Sequence, residues 1–283
     1  MRLKKTIAET RSAIKSLRLA GKTIGFVPTM GALHEGHLAL VRAARRQCDA
    51  VIASIFVNPT QFGPNEDLAR YPRPFEQDCA LLEAEGVDLL FAPASEEMYP
   101  EGATTFVTVE DLSSRLDGAS RPGHFRGVAT VVAKLFHIVQ PDVAFFGQKD
   151  AAQVAVLRRM VRDLNFDLEI AVIPTVREPD GLAMSSRNRY LSPQERKSAL
   201  ALSQALSVME SMANTGERDS DRLLTEGRRK LATEPGVRLD YLSIVHPETL
   251  EPLENVASGA LIAVAAYVGT TRLIDNILLP PAH

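Results

Sequence analysis

Five short apolar runs limit what this chain can become. They are Thr23–Val27, Ala50–Val57, Val87–Ala92, Asp142–Phe146 and Leu168–Ile173. A run such as Ala50-Val51-Ile52-Ala53-Ser54-Ile55-Phe56-Val57 has no polar face. It fits a strand covered on both sides, as in a parallel sheet, and not a strand with one wet face. Segments of helical character separate the runs: Leu38–Cys48, Pro74–Glu85, Val128–Val139 and Ala151–Leu164, with Thr6–Leu19 ahead of the first. The alternation predicts an α/β fold built on a doubly wound parallel sheet. Thr104–Val109 is one more strand candidate. Such a sheet gathers the loops after its strands at the carboxyl edge, where ligands bind.

The texture changes near residue 175. A long polar loop covers Val176 to Asn188, and Ser192-Pro193-Gln194-Glu195 is a helix start with Ser at the cap, Pro in the first turn and Glu three residues on. That helix is predicted to reach about Ala213, and a second spans Ser220–Thr233. Strands Arg238–Val245, Leu261–Val268 and Arg272–Leu278 complete a smaller C-terminal α+β domain. The expected division is 1–175 and 176–283, which suits a 283-residue chain with 45% hydrophobic residues. The net charge of −3 and the lack of a long basic run argue against a nucleic-acid partner. No run could span a bilayer or serve as a signal peptide, and Cys48 and Cys79 lack metal-like spacing, so a cytoplasmic location is expected.

Four loops hold the unusual residues, and three of them directly follow predicted strands. Pro28–His37 joins a strand to a helix, with His34 and His37 at i and i+3 and Gly36 between them. Histidines so spaced share a face. Free N–H groups at the helix mouth suit phosphate, and Gly36 puts no side chain between a ligand and the backbone. A metal site lacks a third ligand, because Glu35 should point away. Asn58–Asn65 offers Asn58 and Gln61. Gly147–Asp150 offers Lys149, a candidate to neutralise phosphate oxygens as charge moves; the structural alternative is a solvated turn with Asp150 capping the next helix. Met184-Ser185-Ser186-Arg187 offers two hydroxyls and a guanidinium, a set that binds phosphate well, or else a polar interdomain loop. Gln153 adds an amide. Arg121 and Arg126 could bind a carboxylate, and His124 reads as structural. Together these predict a nucleotide site with His34, His37 and Lys149 as catalytic candidates.

These segments resemble a family. Pro28–His37 (PTMGALHEGH), Asn58–Gly63 (NPTQFG), Arg121–Gly127 (RPGHFRG), Phe146–Asp150 (FGQKD) and Ala183–Asn188 (AMSSRN) are similar, in order and spacing, to the pantoate–β-alanine ligases, or pantothenate synthetases. The likeness covers most of the first 190 residues; beyond them it rests on length, layout and the Arg272-Leu273-Ile274-Asp275-Asn276 strand. It implies a Rossmann-type nucleotide- and pantoate-binding domain of the nucleotidyltransferase-like superfamily with His-x-Gly-His signatures, a C-terminal lid, and a homodimer formed through the first domain. It implies ATP-dependent ligation of pantoate and β-alanine through a pantoyl-adenylate, with Mg²⁺ on the ATP phosphates. By position, Met30, Gly31, Ala32, Leu33, His34, Glu35, Gly36 and His37 should line ATP, with His37 as proton donor. Gly147, Gln148, Lys149 and Asp150 should hold ATP, and Val176, Met184, Ser185, Ser186 and Arg187 should close over it. Gln61 should bind pantoate and then β-alanine, and Gln153 pantoate. Loop 59–75 and the C-terminal domain are the expected lids. The wider superfamily's Lys-Met-Ser-Lys-Ser motif is here Ala183-Met184-Ser185-Ser186-Arg187, which argues against a tRNA synthetase and leaves Lys149 and Arg187 to supply charge. Two other readings share the His turn: a nucleotidyltransferase acting on a phosphorylated acceptor, and a non-catalytic nucleotide-sensing or RNA-binding protein.

Overall fold

The computed structural model describes residues 1–64 and 66–282. Six strands form the first sheet: β1 Arg2–Lys4, β2 Ile24–Thr29, β3 Ala50–Ile55, β4 Leu89–Phe91, β5 Val143–Gly147 and β6 Glu169–Ile173. Their order is β1-β4-β3-β2-β5-β6, and every pairing is parallel. Helices α1 Ile7–Leu19, α2 Glu35–Gln47, α3 Phe75–Ala84, the short α4 Ser95–Met98 and α5 Asp117–Ser120, α6 His124–Val139 and α7 Ala151–Asp163 connect them. The continuous apolar runs follow from cover on both faces. Phe26, Ile52, Phe91 and Phe146 enter one core, while their strand neighbours Val27, Val51, Leu90 and Phe145 enter the other.

After β6 come α8 Pro193–Asn214 and α9 Ser220–Ala232, then an antiparallel sheet of β7 Val237–Val245, β8 Ala260–Val268 and β9 Thr271–Leu279. The predicted capping box is present: Ser192 Oγ accepts from the Glu195 N–H, and Glu195 accepts from the Ser192 N–H. Strand β8 is buried on both faces. Ile262, Val264 and Ala266 pack with α8 and α9, whereas Leu261 and Ala263 join Val245 and Leu250 in a core shared with the first sheet.

Three expectations need correction. Thr104–Val109 is no strand; among its described hydrogen bonds, the Val107 N–H goes to Thr130 Oγ1 and not to a neighbouring strand. Its β-branched residues fit a pleat, but the parallel sheet is complete without it. The pattern also missed β1, which is three residues long, carries two charges and pairs with β4 at the sheet edge. Finally, α6 begins at His124, so half of the expected Arg121–Gly127 loop is helix.

Candidate active site

Strand order reverses between β2 and β5, so the loops after these strands part to opposite sides and leave a crevice at the carboxyl edge. The loop after β2 fills one wall. Gly31 takes a left-handed φ of 78°, where a Cβ would meet Asp78 Oδ2 at 2.9 Å. The Asp78 carboxylate accepts from the N–H groups of Ala32 and Leu33, both at 2.8 Å. Burial raises its pKa, and those two bonds offset this only in part. Sequence reasoning missed Asp78 because a carboxylate in the first turn of α3 looks like an ordinary helix-start acid.

His34 caps α2 and His37 is its third residue. The Gly36 N–H donates to His34 Nδ1 at 3.2 Å, and the His34 N–H donates to His37 Nδ1 at 3.3 Å. Both Nδ1 atoms are therefore acceptors, and each neutral ring keeps its proton on Nε2. The rings lie 4.1 Å apart. Burial, then the nearby Lys149, drives the His34 pKa down to about 4; burial and then His34 hold that of His37 well below its ordinary value. The pair therefore offers neutral N–H donors. Gly36 has a second use: a Cβ there would stand 2.9 Å from His34 Cε1, so glycine lets the imidazole fold over the helix mouth. Glu35 turns away, as expected, and pairs with Arg42.

Opposite stand the loops after β5 and β6. Lys149 is 19% exposed, with Nζ 3.8 Å from Asp150 Oδ1. Asp150 sits at the start of α7 but makes no side-chain cap bond, contrary to the structural alternative. Residues 176–184 form a hairpin in which the Met184 N–H donates to Val176 O at 3.0 Å. Ser186 Oγ donates to Ala32 O at 3.0 Å, tying this wall to the His turn. Arg187 is held by Asp67 through two 3.0 Å bonds. Burial opposes both charges, yet the pairing lowers the Asp67 pKa and raises that of Arg187.

These walls enclose two adjoining cavities. The smaller, about 170 Å³, is lined by Met30, His34, Gly36, His37, Gly147, Val176, Met184 and Ser186 among others. The larger, about 560 Å³, reaches across to Gln153, Arg121 and strand β9. Lys149, Asp150, Ser185 and Arg187 line both. Several other expected residues lie off these walls. Gly31, Ala32 and Leu33 support the His turn from behind, with Ala32 and Leu33 buried. Gln148 bonds to Asn276. Gln61 lines a separate 190 Å³ cavity, with Nε2 3.1 Å from Met30 Sδ and Oε1 accepting from Asn58. Gln61 and Gln153 are thus not brought into one cavity. Arg121 is paired with Glu66, Arg126 stacks on Phe106, and His124 contacts Gln61 O at 2.8 Å. Two residues that no pattern signalled complete the smaller cavity: Tyr71, and Thr175 with a buried Oγ1 that has no partner among the described residues.

A sequence profile described as pantoate-beta-alanine ligase matches residues 2–278. The chain belongs to that family. Among curated relatives of this ligase family, the pantothenate synthetase of Acidobacterium capsulatum is 68% identical, with 99% of this chain and 97% of that one covered. That of Koribacter versatilis is 61% identical, covering 100% and 97%. Among solved structures, pantothenate synthetase from Thermus thermophilus matches with a TM-score of 0.95 at 55% identity, covering 99% of this chain and all of that one. The pantoate-beta-alanine ligase of Francisella tularensis, solved in complex with beta-gamma ATP and beta-alanine, matches at 0.81 and 36%, covering 98% and 97%.

Proposed function

We propose that this chain is an enzyme that condenses pantoate with β-alanine at the expense of ATP, giving pantothenate, AMP and pyrophosphate. Family membership supports the overall reaction. The observation that carries the site is the convergence of His34, His37, Lys149 and Arg187 on one cavity at the switch point of the sheet.

A carboxylate is a poor acyl donor, because oxygen leaves it badly. In the first step a pantoate carboxylate oxygen attacks the α-phosphorus of ATP, and the bond to the bridging oxygen of pyrophosphate breaks. In the second, the β-alanine nitrogen attacks the carbonyl carbon of pantoyl-adenylate; AMP leaves with the C–O electrons and the amine loses a proton. Positioning and charge stabilisation supply most of the catalysis. The Nε2–H groups of His34 and His37 donate to phosphate oxygens, and Lys149 brings a full charge. Val176, Met184 and Thr175 suit the nucleoside and Gln153 the pantoate; Gln61, whose Nε2 faces Met30 Sδ from a separate cavity, would reach the same substrate by turning its amide past Met30. His37 is neutral in the free protein, so it acts first as a hydrogen-bond donor; giving up a proton requires the bound phosphates to raise its pKa.

No cluster of three or more His, Cys, Asp or Glu among the described residues could hold a metal by itself. Mg²⁺ would ride on the ATP phosphates, near Asp150, a carboxylate that lines both cavities. A nucleotidyltransferase using a phosphorylated acceptor would need spare cations. In the larger cavity Arg121 and Arg272 already have carboxylate partners, which leaves Arg70, stacked on Tyr190, beside the Lys149 and Arg187 assigned to ATP. The family resemblance implies a homodimer through the first unit, and the exposed Thr104–Phe106 stretch, with Phe106 42% exposed beneath Arg126, is the surface offered for it. No helix among the described residues is long and apolar enough to cross a membrane, and free thiols at Cys48 and Cys79 suit the cytoplasm.

Exchange of labelled pyrophosphate into ATP tests the reading. Exchange that depends on pantoate and does not need β-alanine is expected. Exchange without pantoate, or none until β-alanine is added, would contradict the adenylate route.

A further inference from the structure

The Arg272-Leu273-Ile274-Asp275-Asn276 segment lies in β9, away from the His turn, and carries two buried polar side chains in succession. Leu273 and Ile277 share a face with Asp275 and pack with the C-terminal core. The other face carries Arg272, Ile274 and Asn276. A strand that only had to pack would carry apolar groups, because a buried polar group costs free energy unless it is bonded.

Asn276 is 4% exposed, and its side-chain bonds all go to one loop. Nδ2 donates to Gln148 O at 3.0 Å and to Lys149 O at 2.8 Å, and Oδ1 accepts from Gln148 Nε2 at 2.9 Å. Both amide donors and the carbonyl are used. The loop is a single 3-10 turn, Gln148–Asp150, between the end of β5 and α7, and its own side chains add little to hold it. A Cβ on Gly147 would meet nothing within 4 Å, Asp150 makes no cap bond, and Lys149 Nζ lies beyond hydrogen-bond reach of Asp150. Next door, Asp275 holds the Arg177 guanidinium at 2.6 and 3.0 Å, and Arg177 belongs to the hairpin that carries Val176 and Met184. Consecutive residues of one strand thus brace two walls of the nucleotide cavity.

We propose that Asn276 is a positioning residue for adenylation: it fixes the backbone at Lys149, so that the ammonium meets the phosphates. The proposal rests on the phosphate-binding reading of Lys149. A double-mutant cycle on the full chain tests it. Asn276→Asp keeps the shape but turns an oxygen toward two carbonyls. Read as pantoate-dependent pyrophosphate exchange, kcat/KM for ATP should fall at least tenfold in the otherwise native chain, with KM for pantoate within twofold. In a Lys149→Ala background the same change should cost less than twofold. Equal losses in both backgrounds would mean a merely structural bond and overturn the proposal. So would native kcat/KM in Asn276→Asp. If the aspartate variant fails to accumulate, Asn276→Ala removes the donors without adding charge, and the same comparison applies. The reading of Lys149 is checked separately: native exchange by Lys149→Ala alone would remove that reading and the positioning role with it.

Discussion

Replacing Gly127 by alanine should impair the use of pantoate more than that of ATP. Gly127 lies in the first turn of α6, where a Cβ would stand 2.4 Å from Thr60 O and 2.7 Å from Gln61 Cα. An ordinary contact begins near 3.4 Å, so helix and loop must part by about 1 Å. The loop cannot slide freely. Asn58 Nδ2 binds both Gly127 O and Gln61 Oε1, and the His124 ring holds Gln61 O. Burial first, then Arg121, keeps the His124 pKa near 4, so the ring is neutral at pH 7. Overpacking of this kind costs about 1–3 kcal/mol, which should appear as a drop of several degrees in melting midpoint. Moving a substrate group by about 1 Å can cost roughly a hundredfold in rate. The expectation for Gly127→Ala is therefore a loss of about ten- to a hundredfold in kcat/KM for pantoate, with KM for ATP changed less than threefold, in pyrophosphate exchange. Native kcat/KM for pantoate would refute the link from this close approach to Gln61 and the substrate.

His37→Ala and Lys149→Ala should each slow adenylation by about a hundredfold, the usual effect of losing one preorganised donor or charge, while circular dichroism stays native. Normal turnover by either variant would cancel its assigned role. Stability should fall as pH drops from 6.5 toward 4: the folded-state pKa of His34 is about 4 against an ordinary 6.5, so the unfolded chain binds more protons across that window. Urea titrations should show a shallower decline for His34→Gln, and identical slopes would contradict the neutral imidazole. Asp67→Asn should release Arg187 and tighten binding of a non-hydrolysable ATP analogue several-fold by calorimetry. Unchanged affinity would mean that Asp67 does not compete with phosphate.

Much of this was legible because parallel sheets write themselves plainly. Ala50–Ile55 is apolar on both faces since both faces are covered, and Ser192 with Glu195 announces its helix through a local bond pair. Thr104–Val109 misled because strand chemistry is local whereas strand pairing is not. The candidate site followed the same division. His34, His37 and Lys149 are legible as candidates in turns after strands, and Arg187 in the long polar loop beyond Thr175. Their charge states are not, since burial of the imidazoles depends on walls contributed by distant segments. Asp67, Asp78 and Asn276 act through partners 120, 45 and 127 residues away, and no local spacing reports such distances.

Strand β8 has a bearing on how the protein must work. Leu261 and Ala263 belong to a core held jointly with the first sheet, so swinging the C-terminal unit aside would return them, with Val245 and Leu250, to water. A large apolar side chain costs on the order of 1.5–3 kcal/mol to expose. Breaking the small ties across the crevice, Asp67 to Arg187 and Tyr190 Oη to Arg70 O, costs less than opening that core. If access follows the cheaper route, the door is a swap of one anion for another at a guanidinium, and nucleotide exchange should answer to ionic strength and phosphate concentration.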